Sequence, residues 1–126
     1  GEPDKKLADT LKITNEGIER AIESTKPGNT CHDVAIAFWE VLEKYGVEKE
    51  SRAGYSIGLG YPPDWGEHTL SIRKNEMTVL EPNVTYHLMC GMWMDTWGLE
   101  LSESIRVTEG GCELFCNFSR DLHIVR

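Results

Sequence analysis

The spacing of the apolar residues changes near residue 54, and this change limits the folds open to the chain. Before it, the segment from Asp4 to Thr25 predicts an amphipathic helix, with an apolar stripe formed by Leu7, Leu11, Ile18 and Ile22. The next four residues, KPGN, end this helix because proline cannot continue a helix and glycine suits a turn.

A second amphipathic helix follows at once. Thr30 has the character of an N-cap, and Asp33 lies three residues later, as in a capping box. The helix closes at Gly46. Its apolar face is formed by Val34, Phe38, Val41, Leu42 and Tyr45. Two such helices usually cover one face of a sheet.

Beyond residue 54 the apolar residues alternate with polar ones, which predicts β-strands. The predicted strands are Thr69 to Arg73, Val84 to Met94, Leu99 to Val107 and Cys112 to Phe115. The predicted turns are Leu80 to Asn83, Asp95 to Gly98 and Glu109 to Gly111. Helices that precede an antiparallel sheet indicate an α+β fold. The chain is long enough to bury a core, so residues 1–126 are expected to form a single domain.

Composition excludes some classes of function. The formal net charge of -8 argues against nucleic-acid binding, which needs clustered lysine and arginine. No stretch approaches the ~20 apolar residues that span a bilayer, so no membrane partner is expected. The four cysteines lack the paired spacing of a zinc site, and we expect free thiols in a reducing cytoplasm.

The stretch GYSIGLGYPPDWGEH, residues 54–68, concentrates glycine, proline, aromatic and acidic residues. We interpret it as a rigid loop that presents Trp65 and Glu67. Three roles are open for such a loop: a metal site, an active-site loop for an organic substrate, or ordinary turn chemistry.

Glu103 interrupts an otherwise apolar strand face. Strict alternation places it among residues that should be buried, namely Leu99, Leu101, Ile105 and Val107. A buried carboxylate must be paired, hydrogen-bonded or protonated. The alternatives are a one-residue bulge that turns Glu103 outward, an ion pair with a buried arginine, and a functional carboxylate.

Several motifs, in this order, resemble one known superfamily. They are KPGNTCHDVA, DWGE, a Leu-x-Pro turn, a long strand pair and VTEGG. The order resembles the catalytic domain of the creatinase, aminopeptidase P and prolidase superfamily, the pita-bread fold. Within it, GLGYPPDWGE, the HLM of the long strand, WMDTWGLE and the ES before IRVTE are similar to ectoine hydrolases. The resemblance implies a partial pita-bread fold, with two helices on a curved antiparallel sheet, and a homodimer. It also implies that the chain is the C-terminal portion of the catalytic domain of a longer enzyme.

The resemblance also maps the metal ligands of the superfamily, which are two aspartates, one histidine and two glutamates. The histidine position holds Tyr55, and the first glutamate position holds Met89. A gapless count puts Ser102 at the second glutamate position, with Glu103 next to it, and which of the two faces the site stays open. Both aspartates would lie before Gly1. A thioether and a neutral phenol are poor ligands for a hard divalent ion. We therefore expect no metal and no other cofactor.

The resemblance implies a metal-independent hydrolase that opens a C–N bond in a cyclic amidine, converting ectoine to N-acetyl-2,4-diaminobutyrate. Such a reaction needs a base, a proton donor and groups that hold a planar cation. The candidate catalytic residues are Glu67, Glu103 and His87, and the candidate substrate-binding residues are Tyr55, Trp65 and Asp64. A small-molecule substrate is the expected partner.

Three further points stay open at this level. The superfamily also contains metal-dependent Xaa-Pro dipeptidases and aminopeptidases, and pita-bread domains that bind without catalysis. The sequence does not choose which of Arg52, Arg73 and Arg106 would bind a substrate carboxylate. We expect residues 1–126 alone to be inactive.

Overall fold

The capped helices form as the sequence predicts. The computed structural model describes Gly1–Arg126. The first helix, α1, is Lys5–Ser24, and the Asp4 side chain caps it by accepting from the Lys6 N–H. The second, α2, is Cys31–Lys44, and Thr30 and Asp33 form the capping box. Neither helix is long and apolar enough to cross a membrane.

Five strands follow the helices and form one antiparallel sheet. The strands are β1 (Gly54–Tyr61), β2 (Asp64–Ile72), β3 (Thr85–Trp93), β4 (Gly98–Thr108) and β5 (Gly111–Leu114). Their spatial order is β2-β1-β3-β4-β5. The prediction of an α+β fold with two helices packed on an antiparallel sheet is confirmed.

The interpretation of residues 54–68 as a loop is wrong. These residues form most of the β1–β2 hairpin, with a cis peptide between Pro62 and Pro63 at its turn. The pairing of β1 with β2 changes register twice, between Tyr55 and Ile57 and between Ile57 and Tyr61. Because a register shift moves side chains to the other face, the regular alternation that identifies a strand is lost here.

The core lies between the helices and one face of the sheet. It includes Ile18 from α1, Phe38 from α2, and Tyr86 and Leu88 from β3, all fully buried. A Cβ on Gly17 would lie 2.7 Å from the Phe38 ring, so glycine allows the two helices to approach this closely. Burial of this apolar surface supplies most of the stability of the fold.

Two of the four free cysteines are buried in this core. Cys31 and Cys90 are buried, and no cysteine forms a disulfide. Burial raises the pKa of Cys31 to about 11 and that of Cys90 to about 12. Both thiols are therefore protonated and poor nucleophiles at neutral pH.

The sheet has two different faces, and β3 shows the division. Tyr86, Leu88, Cys90 and Met92 alternate along β3 and are buried under the helices. The intervening side chains, beginning with His87, point to the other face, which we call the open face. No helix covers the open face.

Candidate functional site

Three positions that the resemblance maps to metal ligands lie together on the open face. In the strand pairing, Tyr55 is opposite His87, and Met89 is opposite Ser102. Because β1, β3 and β4 are neighbours, Tyr55, Met89 and Ser102 belong to one surface. A Cβ on Gly54 would lie 2.6 Å from the His87 carbonyl oxygen, so glycine permits this close approach of β1 and β3.

The donors at these three positions do not fit a two-metal site. They are a phenol, a thioether and a hydroxyl, whereas hard divalent ions prefer carboxylate oxygens and imidazole. No three His, Cys, Asp or Glu side chains of the chain converge in a way that could hold a metal ion.

His87 is the half-buried titratable group at the centre of the open face. Its Nδ1 lies 3.1 Å from the Ser104 Oγ, and its ring centroid lies 5.6 Å from that of Tyr55. Burial lowers the pKa of His87, and the charge of Glu100 opposes this only partly. At neutral pH the imidazole is therefore uncharged, which is the form that can accept a proton.

The β1–β2 hairpin adds an aromatic pair beside His87. The indole Nε1 of Trp65 donates to the Tyr55 hydroxyl oxygen at 3.2 Å. The guanidinium of Arg52 lies 4.9 Å from the centroid of the Tyr55 ring. The structure thus brings together Tyr55, Trp65 and His87, and it places beside them Arg52, one of the three arginines that the sequence left open.

Asp64 and His68 form a pair on the same hairpin. The Asp64 carboxylate accepts from the Gly66 N–H at 3.0 Å and lies 2.7 Å from the Nε2 of His68. The Gly66 N–H, and then His68, lower the pKa of Asp64, so it stays ionised. Sequence reasoning missed His68, which lies four residues after Asp64 in a hairpin that was interpreted as a loop and which has a positive φ of 57°.

Glu67 faces a different cavity. Its carboxylate accepts a hydrogen bond from the Gly60 N–H across the hairpin. It lines a cleft of about 480 Å³ that also includes Ser56 and Thr78, and that includes neither Tyr55 nor His87. Glu67 therefore makes no hydrogen bond to Tyr55 or His87, the two residues at the centre of the open face.

Glu103 is separated from the open face by the sheet itself. It is 5% exposed, and its carboxylate accepts from the Nη1 of Arg120 at 2.6 Å. The β3–β4 register is continuous from Thr85 to Trp93, so no bulge turns Glu103 outward. Strand alternation then gives Ser102 to the open face and Glu103 to the helix side. The structure therefore places Glu103 and His87 on opposite faces of the sheet.

The Arg120 that holds Glu103 comes from the C-terminal segment. Its Nε donates to the Asn15 side-chain oxygen at 2.7 Å, and its Nη2 lies 3.7 Å from a Glu19 oxygen. This network fixes residues near the C-terminus against α1. Of the alternatives for Glu103, the structure shows the ion pair with an arginine.

Comparisons with known proteins identify the family and the fold of the chain. Residues 1–109 match the metallopeptidase family M24. Ectoine hydrolase from Halomonas elongata is 45% identical over 125 residues, which cover 98% of this chain and 31% of that enzyme. The crystal structure of the X-Pro aminopeptidase from Thermotoga maritima has a TM-score of 0.88 at 24% identity, over 99% of this chain and 35% of that one.

A second solved structure gives the same fold. The Xaa-Pro dipeptidase from Bacillus anthracis has a TM-score of 0.89 at 24% identity, over 99% of this chain and 35% of that one. The chain thus spans about a third of the length of the relatives it matches. It belongs to the metallopeptidase family M24 and has part of the pita-bread fold.

Proposed function

We propose that the protein hydrolyses a C–N bond in a cyclic amidine of the ectoine type, without a metal ion. The observation that carries this proposal is the replacement of three mapped metal ligands by Tyr55, Met89 and Ser102 on the open face. The 45% identity with an ectoine hydrolase supports the choice of substrate.

The uncharged His87 acts as the base. It removes a proton from water as the oxygen attacks the amidinium carbon, which gives a neutral tetrahedral adduct. The protonated His87 then returns its proton to the leaving nitrogen, and the C–N bond breaks as the carbon–oxygen double bond forms. The hydroxyl proton moves to the released amine, so amidinium and water become an amide and an ammonium ion.

Three residues of the hairpin hold the substrate in this scheme. The ring of Trp65 offers a face to the planar amidinium cation, and the ionised Asp64 supplies a compensating charge. The Tyr55 hydroxyl accepts from Trp65 and keeps its own proton to donate to the adduct. Glu67 and Glu103 have no role in this scheme, because the Glu67 carboxylate accepts from the Gly60 N–H and the buried Glu103 carboxylate is paired with Arg120.

Turnover of ectoine by the full-length protein tests the proposal. The protein is treated with a chelator, dialysed and assayed for the N-acetylated diamino acid, with and without added manganese, cobalt or zinc. We expect the same turnover in all samples. Turnover that requires added metal would contradict metal independence.

A metal-dependent Xaa-Pro peptidase is the second candidate, favoured by the fold shared with the dipeptidase and aminopeptidase structures. It predicts cleavage of an Xaa-Pro dipeptide after addition of metal, with no turnover of ectoine. The same purified samples, assayed with such a dipeptide, separate the two candidates.

The proposal extends to the partner, the cellular compartment and the oligomeric state of the protein. The partner is a small-molecule substrate, the four free thiols suit a reducing cytoplasm, and the family resemblance implies a homodimer. Gel filtration with light scattering on the full-length protein measures the oligomeric state, and a monomeric mass would contradict the dimer.

A further inference from the structure

Arg52 differs from every other arginine of the chain in having no carboxylate partner. Within 4.0 Å, the other five pair as Arg20 with Glu23, Arg73 with Glu76, Arg106 with Glu113, Arg120 with Glu103, and Arg126 with Glu2. An unpaired guanidinium beside a candidate active site is available to bind an anion.

Two contacts hold the Arg52 guanidinium on the open face. Its Nη1 donates to the Ser71 Oγ at 3.0 Å, and its Cζ lies over the Tyr55 ring, 4.9 Å from the centroid. Ser71 is the register partner of Tyr55 on β2, so both contacts belong to the same patch of the sheet. Of the five N–H donors of the guanidinium, only one is engaged in a hydrogen bond.

The acidic group of this patch does not compete for Arg52. The charge of Asp64 and that of Arg52 affect each other, yet the two do not form an ion pair. One oxygen of Asp64 is taken by the Gly66 N–H and the other by His68. The remaining donors of Arg52 therefore stay free for a ligand.

We propose that Arg52 binds the carboxylate of the substrate through two parallel N–H···O bonds, and so selects amidines that carry a carboxylate. This inference rests on the proposed function, because an ectoine-type ring bears a carboxylate as well as the amidinium group. The rigid fork of arginine matches a carboxylate in geometry and charge.

The other two arginines that the sequence left open do not fit this role. The Nε of Arg106 donates to Glu113 at 2.6 Å, and its Nη1 donates to the Asn83 side chain at 2.8 Å. Arg73 lies at the turn after β2, with its Nη2 at 3.9 Å from a Glu76 oxygen. Neither contacts Tyr55.

The test compares two ligands that differ only in the carboxylate. The ligands are ectoine and the same methyl-substituted tetrahydropyrimidine ring without its carboxylate. Their dissociation constants for the full-length protein are measured by isothermal titration calorimetry at low temperature. We expect Arg52→Gln to weaken ectoine binding by about 10- to 100-fold, the range for a hydrogen-bonded charged pair. Binding of the ring without carboxylate should stay within about twofold of wild type, since it makes no contact with the guanidinium.

Two further variants sharpen the result. Arg52→Lys keeps the charge without the fork and should lose less affinity than Arg52→Gln. Arg73→Gln is the matched control and should leave both affinities unchanged.

Three outcomes would overturn the role of Arg52. Equal weakening for both ligands would mean that Arg52 positions Tyr55 and does not bind the carboxylate. An unchanged ectoine affinity in Arg52→Gln would remove the role altogether. Failure of the wild-type protein to bind either ligand would overturn the proposed function and, with it, this inference.

Discussion

The two faces of the sheet use the same strands for different purposes. On the face under the helices, the polar side chains of the core have partners within the protein: the Tyr86 hydroxyl meets the Thr25 hydroxyl, and Glu103 meets Arg120. On the open face, His87 is half-buried with a neighbouring hydroxyl, and Arg52 has no carboxylate partner.

This difference shows why burial alone is a poor guide to function. Glu103 is the most anomalous residue of the strand pattern, yet its anomaly is resolved by a structural ion pair. The open-face residues attract less notice in the sequence, because a half-exposed polar side chain on a strand needs no special explanation. Their availability becomes visible only when their partners are known.

The largest expected effect is on activity and concerns His87. In the full-length protein, His87→Gln should lower kcat for ectoine by about 10²- to 10⁴-fold, the usual contribution of a general base. The measurement is the initial rate of product formation, and His123→Gln, in the exposed C-terminal segment, is the control. A His87→Gln variant with wild-type kcat would remove His87 from the mechanism.

The next effect is on stability and concerns the covered face. Arg120→Ala leaves the carboxylate of Glu103 buried without its partner, which should lower the free energy of unfolding by about 3 kcal/mol. Urea unfolding followed by circular dichroism measures the change. Ser102→Ala, next to Glu103 but exposed on the open face, should change stability little. Equal effects of the two substitutions would contradict the division between the faces.

A smaller stability effect is expected for Tyr86→Phe. The substitution removes the hydroxyl that is hydrogen-bonded to Thr25 in the core, and it should cost about 1 kcal/mol. Tyr55→Phe, the same change on the open face, should lower the turnover of ectoine and leave the free energy of unfolding nearly unchanged. The comparison fails if Tyr55→Phe destabilises the protein as much as Tyr86→Phe does.

The smallest effect is a pH dependence caused by His87. Because burial lowers the pKa of His87 below its usual value of 6.5, the unfolded chain takes up the proton first as the pH falls through that value. The unfolded state then binds more protons than the folded state, so the wild type loses stability on acidification. Urea unfolding at neutral and mildly acidic pH measures this loss of stability. The loss should be smaller in His87→Gln than in the wild type, and an equal loss in both would show that His87 is not its cause.

The local features of the fold could be predicted from the sequence. Thr30 and Asp33 identify the start of α2 because a capping box involves only neighbouring residues. The strands around Leu88 and Ile105 were found because their alternation is regular. The β1–β2 hairpin was missed because two register shifts and two prolines disturb that alternation.

The candidate site was predictable only in part. Tyr55, Trp65 and His87 were identified, and they lie together. Glu67 and Glu103 were grouped with them because sequence shows which residue types are present, and not which cavity each carboxylate enters.

By itself the sequence determined the two helices and most of the sheet, because these depend on local patterns. It also showed, through the family resemblance, that Tyr55 and Met89 stand at two of the mapped ligand positions. Only the tertiary structure decided that Ser102, and not Glu103, shares a face with Met89. It alone paired Glu103 with Arg120, 17 residues away, and left Arg52 free beside Tyr55. The physical reason is that strand register and long-range ion pairs are set by packing between distant segments, and no local pattern records them.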